Sequence, residues 1–588
     1  MARPSKTAGG KFVSPARSLE ELDPTPSETT ALLPETGGPG KPQDDSQWAG
    51  MADFDHLPWW RRPSVFWLLG PYSLFTLAFG GIIVPKLNII LDLVCKQYFA
   101  DKEKTSPNLH FTPIIMGGDN PQCDIPDVQG KVSAFMLVMN LVVGILSAFT
   151  APKLGHLSDR HGRRRLMAVA SCGGIMSEII TILAAKFPAA VDYRWLVLGS
   201  VFDGMAGSFT LGSILSQSYT SDCTPPSKRA VYIGYIHACL FTGIALGPLL
   251  AGYFVKWTGS LLSIFYVVLG CHMTFALFVA FIVPESLSER RQLLAREKHR
   301  KEKESARPTE TVSWLNSIRS SHPFAPLQIL WPKEHGTNPK LRINLVLLAA
   351  MDTIIMGSMM ASGSVVMLYS KLMFHWENFE LSIFVSSMSS MRVFVLMGIF
   401  PIINYFVRVR PAARRRRGSG AAVSEKNAGA DLLDIWVLRV ALISDLAGSV
   451  GYSLSRTEPM FFASGLMTAV GGLGSATVQA AVTKHVPPSR TGQILGAVGM
   501  LNALSRVIGP LLFNGLYTLT VKRFPQAAFV LLACFFGSAL LCSLFLKPHV
   551  YWEDVPDEET EPLASNGHVS GRQPGPATIA QEEELFIR

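Results

Sequence analysis

Apolar positions along the chain gather into runs of about 20–25 residues, separated by short polar joints. At about 1.5 Å of rise per residue, a helix of that length crosses a hydrocarbon core of ~30 Å. The runs fall at 65–94, 131–153, 166–186, 194–217, 230–255 and 261–283. A second set follows at 343–369, 380–406, 435–454, 459–481, 492–518 and 525–547. Each is expected to be helical, because lipid offers no partner for backbone N–H and C=O groups. The pattern predicts a six-helix half over 61–284, a polar connection over 285–341 and a second six-helix half over 342–547. Residues 1–60 and 548–588 are polar and are expected to be disordered tails. No apolar core lies within the first 30 residues, so the start does not read as a cleaved signal peptide.

Composition supports the same class. Of the 588 residues 48% are hydrophobic and 16% charged, against roughly 25% charged in an average soluble domain. Together with the apolar runs, this makes a soluble enzyme, a disordered chain and a disulfide-stapled secreted domain all poor readings. The chain reads as an all-α polytopic membrane protein with twelve transmembrane helices. Its cations set the orientation. Arg61 and Arg62 precede the first span, and Lys153, Arg160, Arg163, Arg164 and Arg165 lie between the second and third. Arg290 to Lys303 follow the sixth, and Arg408 to Arg417 follow the eighth. Both termini and these joints are expected on the cytoplasmic side. Beside membrane helices, such basic runs serve topology and lipid contact rather than nucleic-acid binding. Cys95 and Cys123 border the long segment after the first span on the opposite side, where a disulfide is possible.

The sequence also repeats itself. Pro225-Pro226-Ser227-Lys228, Gly234 and Gly247-Pro248-Leu249-Leu250 return 262 residues later as Pro487-Pro488-Ser489-Arg490, Gly496 and Gly509-Pro510-Leu511-Leu512. Both copies enter the membrane from the same side. The two halves are therefore parallel, related by an axis along the membrane normal.

Between the second and third spans stands Gly155-His156-Leu157-Ser158-Asp159-Arg160-His161-Gly162-Arg163-Arg164-Arg165. Gly162 permits a tight turn, Asp159 can accept from backbone N–H groups or pair with an arginine, and the arginines fix the loop in the cytoplasm. The stretch resembles the signature loop of the major facilitator superfamily, G-x-L-x-D-R-x-G-R-R. That resemblance implies the major facilitator fold of two parallel six-helix halves, with Gly155, Asp159, Arg160, Gly162, Arg163 and Arg164 forming a gating loop. The corresponding joint of the second half, Arg408 to Arg417, lacks the pattern, which leaves a matching lock there open. Gly243, Gly247, Pro248 and Gly252 resemble the G-x-x-x-G-P-x-x-G-G element of drug/proton antiporters, with Ala251 in place of one glycine. Close helix packing is the alternative reading of these small residues.

Ionisable residues inside spans are costly in lipid and so are expected to face a cavity. Asp203, Glu178 and His237 are candidate proton carriers. Arg392, Asp352 and Lys86 are candidates for holding substrate, and Asp445 and Arg506 are candidate structural partners. For Arg392, a fixed ion pair with Asp352 or Glu178 is the rival role. The loop and Asp203 are also similar to the proton-coupled folate transporter and thymic stromal cotransporter group. Where that group places a coupling carboxylate before an Ala-Cys pair, this chain has His237 before Ala238-Cys239. The tails and spans resemble those of fungal facilitators.

No G-x-x-x-x-G-K-[ST] occurs, which argues against an ATP-driven pump, and no Cys/His cluster has metal-ligand spacing. Neither catalysis nor a cofactor is expected. The expected function is secondary transport of a small organic solute, coupled to protons, by a monomer in the bilayer. A nutrient-sensing transceptor and an ion-independent facilitator are the rival readings. Glu28-Thr29-Thr30-Ala31-Leu32-Leu33 resembles an acidic dileucine sorting signal, which suggests a vacuolar or lysosomal membrane, with the plasma membrane as the alternative.

Overall fold

In the first half, α1 (Val65–Thr105), α2 (Pro126–His161), α3 (Arg163–Lys186), α4 (Trp195–Met205), α5 (Ser208–Cys223), α6 (Pro226–Thr258) and α7 (Leu261–Phe281) follow one another. The basic α8 (Glu289–Ser305) leads into the connection. The second half comprises α9 (Pro339–Phe374), α10 (Asn378–Phe394), α11 (Phe400–Asn404), α12 (Arg410–Ser419), α13 (Leu432–Leu454), α14 (Glu458–Thr468), α15 (Gly472–Lys484), α16 (Thr491–Thr520) and α17 (Ala527–Leu544). This computed structural model describes residues 51–105, 114, 120–123, 125–188, 190–305, 324–333, 337–376, 378–419 and 427–552. The sorting-signal stretch, nearly all of both tails and much of the connection lie outside them. All described residues belong to one unit, Ser46–Arg588.

Among the described residues, eleven helical segments are long and apolar enough to cross a membrane. α13, with 23 residues and three ionisable side chains, Asp434, Arg439 and Asp445, makes the twelfth span. The protein is all-helical, with the twelve spans of the major facilitator fold. Outward-facing side chains such as Leu519, Phe281, Tyr253 and Trp257 are at least three-quarters exposed. That is the arrangement expected where lipid rather than water surrounds the bundle.

Several spans differ from their expected form. The first continues as helix to Thr105, well past residue 94, and a Cys95–Cys123 disulfide ties its far end to the segment before α2. The fourth is broken rather than continuous. Gly207 at φ +83° and Ser208 at φ +50° turn the chain between α4 and α5, a conformation glycine adopts without steric cost. The tenth breaks between α14 and α15, at residues 469–471. Both broken spans end just before the repeated Pro-Pro pairs. The eighth carries two π-turns, Val395–Ile399 and Tyr405–Val409. Pro401 lies between them; its ring cannot sit against the carbonyl four residues back in a regular helix, and a wider turn relieves that clash.

Glycines set the tightest helix contacts. Gly80 and Gly81 of α1 face Gly243 and Gly247 of α6 so closely that a Cβ on Gly247 would come 2.5 Å from the Gly81 nitrogen. Thr76 adds a hydrogen bond of 2.9 Å to the Cys239 carbonyl. Gly243 and Gly247 of the antiporter-like element therefore pack α6 onto α1, whereas nothing lies within 4 Å of a Cβ at Gly252. Between the halves, α2 runs along α16. Gly155 meets Gly492, Pro152 meets Gly496, and Gly144 meets Val507.

Candidate functional site

Breaking the fourth span brings Asp203 to the end of α4, where Ser208 at the start of α5 donates to its Oδ2 at 2.8 Å. Asp203 borders a chamber of about 380 Å³. Lys86 of α1, Glu178 of α3, His272 of α7 and Arg506 of α16 also line it. Arg506 donates to Thr210 at 3.0 Å and stacks 5.5 Å from the Phe209 ring centroid. Among the described residues, the Glu178 Oε2 and His272 Nε2 atoms find no hydrogen-bond partner and are buried. Among the lining residues Arg506 alone comes from the second half, so the chamber lies within the first six-helix bundle and touches the other through that one guanidinium.

The remaining candidates stand elsewhere. His237 of α6 meets the Ser475 hydroxyl of α15 across the seam at 2.9 Å. Asp352 of α9 is fully buried and accepts from Asn502 of α16 at 2.7 Å. Arg392 of α10 lies over the Phe241 ring, 5.0 Å from its centroid. Among the described residues Arg392 makes no ion pair within 4 Å, with Asp352 and Glu178 or otherwise; the carboxylate that acts on it from a distance is Asp445 of α13. The structure thus divides the six candidates among a first-half chamber (Asp203, Glu178, Lys86), the seam between the halves (His237, Arg392) and the interior of the second half (Asp352).

At the end of the bundle carrying the basic loops, the signature loop closes that seam. Gly162 turns at φ +94° between α2 and α3. Asp159 accepts from the backbone N–H groups of Gly492 and Gln493, both at 3.0 Å. It therefore caps the N-terminus of α16, where its charge also meets the positive end of the helix dipole. Arg163 is fully buried and pairs with Asp159 at 2.6 Å and Asp222 at 2.9 Å. Glu285, just beyond α7, accepts from the backbone N–H groups of Arg163 at 2.8 Å and Arg164 at 3.1 Å. Burial raises its pKa above the ordinary carboxylate value, and these N–H bonds oppose the rise. Arg164 also reaches the Val283 carbonyl at 3.4 Å, and the Arg160 carbonyl accepts from Arg296 of α8 at 2.9 Å.

A second ion cluster occupies the matching place in the other half. Asp434 pairs with Lys484 at 2.5 Å and Arg408 at 2.9 Å, and Arg408 also pairs with Asp431. Arg408 reaches across the seam to the Ser227 carbonyl at the start of α6, at 2.9 Å. No single motif announced this cluster. The clue was the repeat: Lys484 follows Asp222 at the same 262-residue offset.

The family model for the Major Facilitator Superfamily matches residues 125–424 and 429–581. The MFS-type transporter avaJ of Aspergillus versicolor is 27% identical over 548 residues, 93% of this chain and 98% of that protein. The proton-coupled folate transporter of Rattus norvegicus is 21% identical over 446 residues, 74% of this chain and 83% of its own length. Among solved structures, the human organic anion transporter MFSD10 superposes with a TM-score of 0.58 at 15% identity. That match covers 83% of this chain and all of MFSD10.

Proposed function

The chain belongs to the major facilitator superfamily, and from that premise we propose that it couples proton movement to the passage of a small organic solute by alternating access. Membership makes it a multi-pass membrane transporter rather than an enzyme. Coupling and solute class are the proposal. The observation carrying it is the intramembrane chamber with Glu178, Asp203, Lys86 and Arg506 on its wall. Charges this costly in a bilayer are retained where they meet water, protons or solute. Asp203, Glu178 and His237 carry protons in this reading, while Lys86 binds polar groups of the solute in the chamber and Arg392 and Asp352, outside it, do so at another stage of its passage. The relatives include a protein named for proton-coupled folate transport and an efflux pump of Aspergillus flavus, which supports a small organic cargo.

The basic joints face the cytoplasm, as do both termini. The Asp159 and Arg408 contacts then hold the cytoplasmic end shut, and the chamber exchanges with the opposite face. The protein works as a monomer in a vacuolar or plasma membrane. Purified protein in liposomes, loaded with a pH-sensitive dye and offered amino acids, dipeptides, organic anions and folates, tests the reading. Solute-dependent proton flux is expected, falling at least about tenfold in Asp203→Asn and Glu178→Gln, equivalent to about 1.4 kcal/mol of barrier. Uptake indifferent to the proton gradient would overturn coupling in favour of a simple facilitator.

A further inference from the structure

The chamber's lining narrows the solute further. It offers two cationic side chains, Lys86 and Arg506, and two acidic ones, Glu178 and Asp203. Among the described residues none of the four makes an ion pair within 4 Å with another. One Asp203 oxygen is engaged by Ser208 and one Arg506 nitrogen by Thr210. Among the described residues the Glu178 Oε2 atom has no partner although its side chain is only 6% exposed, and the same holds for Nε2 of His272 at 9%. Glu178 feels Lys86, and Arg506 feels Asp203, across open space rather than through ion-pair contact.

A buried charge left unmatched is costly, so a fitting ligand supplies complements of both signs. A solute bearing only a carboxylate leaves Glu178 opposed to like charge. One bearing only an ammonium leaves Lys86 and Arg506 unanswered. The rest of the wall mixes Asn140 and several serine hydroxyls with a strongly aromatic set, Tyr72, Phe75, Phe79, Phe209 and Phe275, which suits a ring or branched aliphatic group. A volume of about 380 Å³ lies at the small end of the roughly 300–1,000 Å³ usual for ligand pockets.

We infer that the chamber binds a zwitterion of amino-acid to dipeptide size with an aromatic or bulky apolar group, its ammonium on Glu178 and its carboxylate between Lys86 and Arg506. The inference rests on the transport reading for the identity of the site, but not on proton coupling. Because Arg506 belongs to the second half, the carboxylate end of the ligand joins the two halves. A ligand lacking that end loses the one lining contact with α16 among the described residues.

The test is binding to the full-length, detergent-solubilised protein, using L-phenylalanyl-L-alanine, its N-acetyl form, its C-terminal amide and the doubly capped form. The free dipeptide is expected to bind, with each singly capped form at least about tenfold weaker and the doubly capped form weakest. Glu178→Gln should erase discrimination against the acetyl form while keeping that against the amide. Arg506→Gln should do the reverse. If either variant fails to unfold cooperatively, the four-ligand series on the unaltered protein decides alone. Equal binding of a singly capped form, or binding of none of the four, overturns the zwitterion assignment. Liposome flux separates the two proposals: an intact zwitterion preference with no proton dependence sinks coupling and leaves this inference standing.

Discussion

Two ion clusters lie at the same end of the bundle and at related positions in the two halves, yet their polarity is reversed. In the first, the Arg163 guanidinium sits between the carboxylates of Asp159 and Asp222, with all three side chains no more than 4% exposed. In the second, the Asp434 carboxylate sits between Arg408 and Lys484. Each reaches the neighbouring half at the start of a long helix: Asp159 through the N–H groups of α16, Arg408 through a carbonyl of α6. Duplication has therefore kept an arrangement, one charge flanked by two opposite ones, rather than residue types. Their surroundings differ too. Asp434 and Lys484 are as dry as the first cluster at 3% exposed each, but Arg408 is 11% and Asp431 36% exposed, so the second cluster is wet at one end and better supplied with substitute partners.

That contrast orders the expected effects. Arg163→Ala should be the most damaging change, because it leaves two buried carboxylates facing each other. Removing one partner of a buried ion pair costs roughly 3–5 kcal/mol, and thermal unfolding in detergent should show a loss of that size. Asp434→Asn should cost about half as much on the same assay, since Asp431 still holds Arg408 and only Lys484 loses its carboxylate partner. Equal losses would erase the distinction between a dry cluster and one wet at one end.

A third change targets the contact between the halves. A Cβ at Gly492 would stand 2.5 Å from the Gly155 carbonyl oxygen and 2.7 Å from Asp159 Oδ1. Gly492→Ala should shift the population away from the form closed at this end by about tenfold, or about 1.4 kcal/mol. Spin-label distances between the ends of α2 and α16 would register the shift.

The smallest effect is a pH dependence. The Glu285 carboxyl has a raised pKa in the folded protein, burial being the larger influence. The folded state therefore holds this proton to higher pH than the unfolded chain does. Stability from this group is greatest below the ordinary carboxylate value and falls as pH climbs through the raised one. Glu285→Gln should flatten that part of the stability–pH curve; an unchanged slope would show that another group sets it.

The sequence disclosed the spans because lipid imposes a length and forbids unpaired backbone, and both constraints act on local composition. It disclosed the parallel halves because Pro225 and Pro487 keep register over 262 residues. Breaks within spans were harder to see. Gly204 and Gly207 were visible as small residues, but whether such residues pack a helix or interrupt it depends on what lies opposite. The division of the candidates was out of reach for a related reason. Hydropathy fixes how deep His237 and Glu178 lie, not the rotation of their helices, and rotation decides whether a side chain faces the chamber or the seam. His272 escaped notice as a lone histidine on an apolar helix, and only its place beside Lys86 and Glu178 gives it meaning.

The central claim is that water reaches charged side chains deep inside the first bundle. Ser171 lines the chamber, and a cysteine placed there, in a chain whose six free cysteines are replaced by serine or alanine, can report on it. A small, membrane-impermeant cationic thiosulfonate applied to reconstituted protein should modify Ser171→Cys within minutes, and a tightly bound solute should slow the reaction. No modification of the reconstituted protein, alongside complete modification after denaturation, would mean the chamber is sealed and the account is wrong.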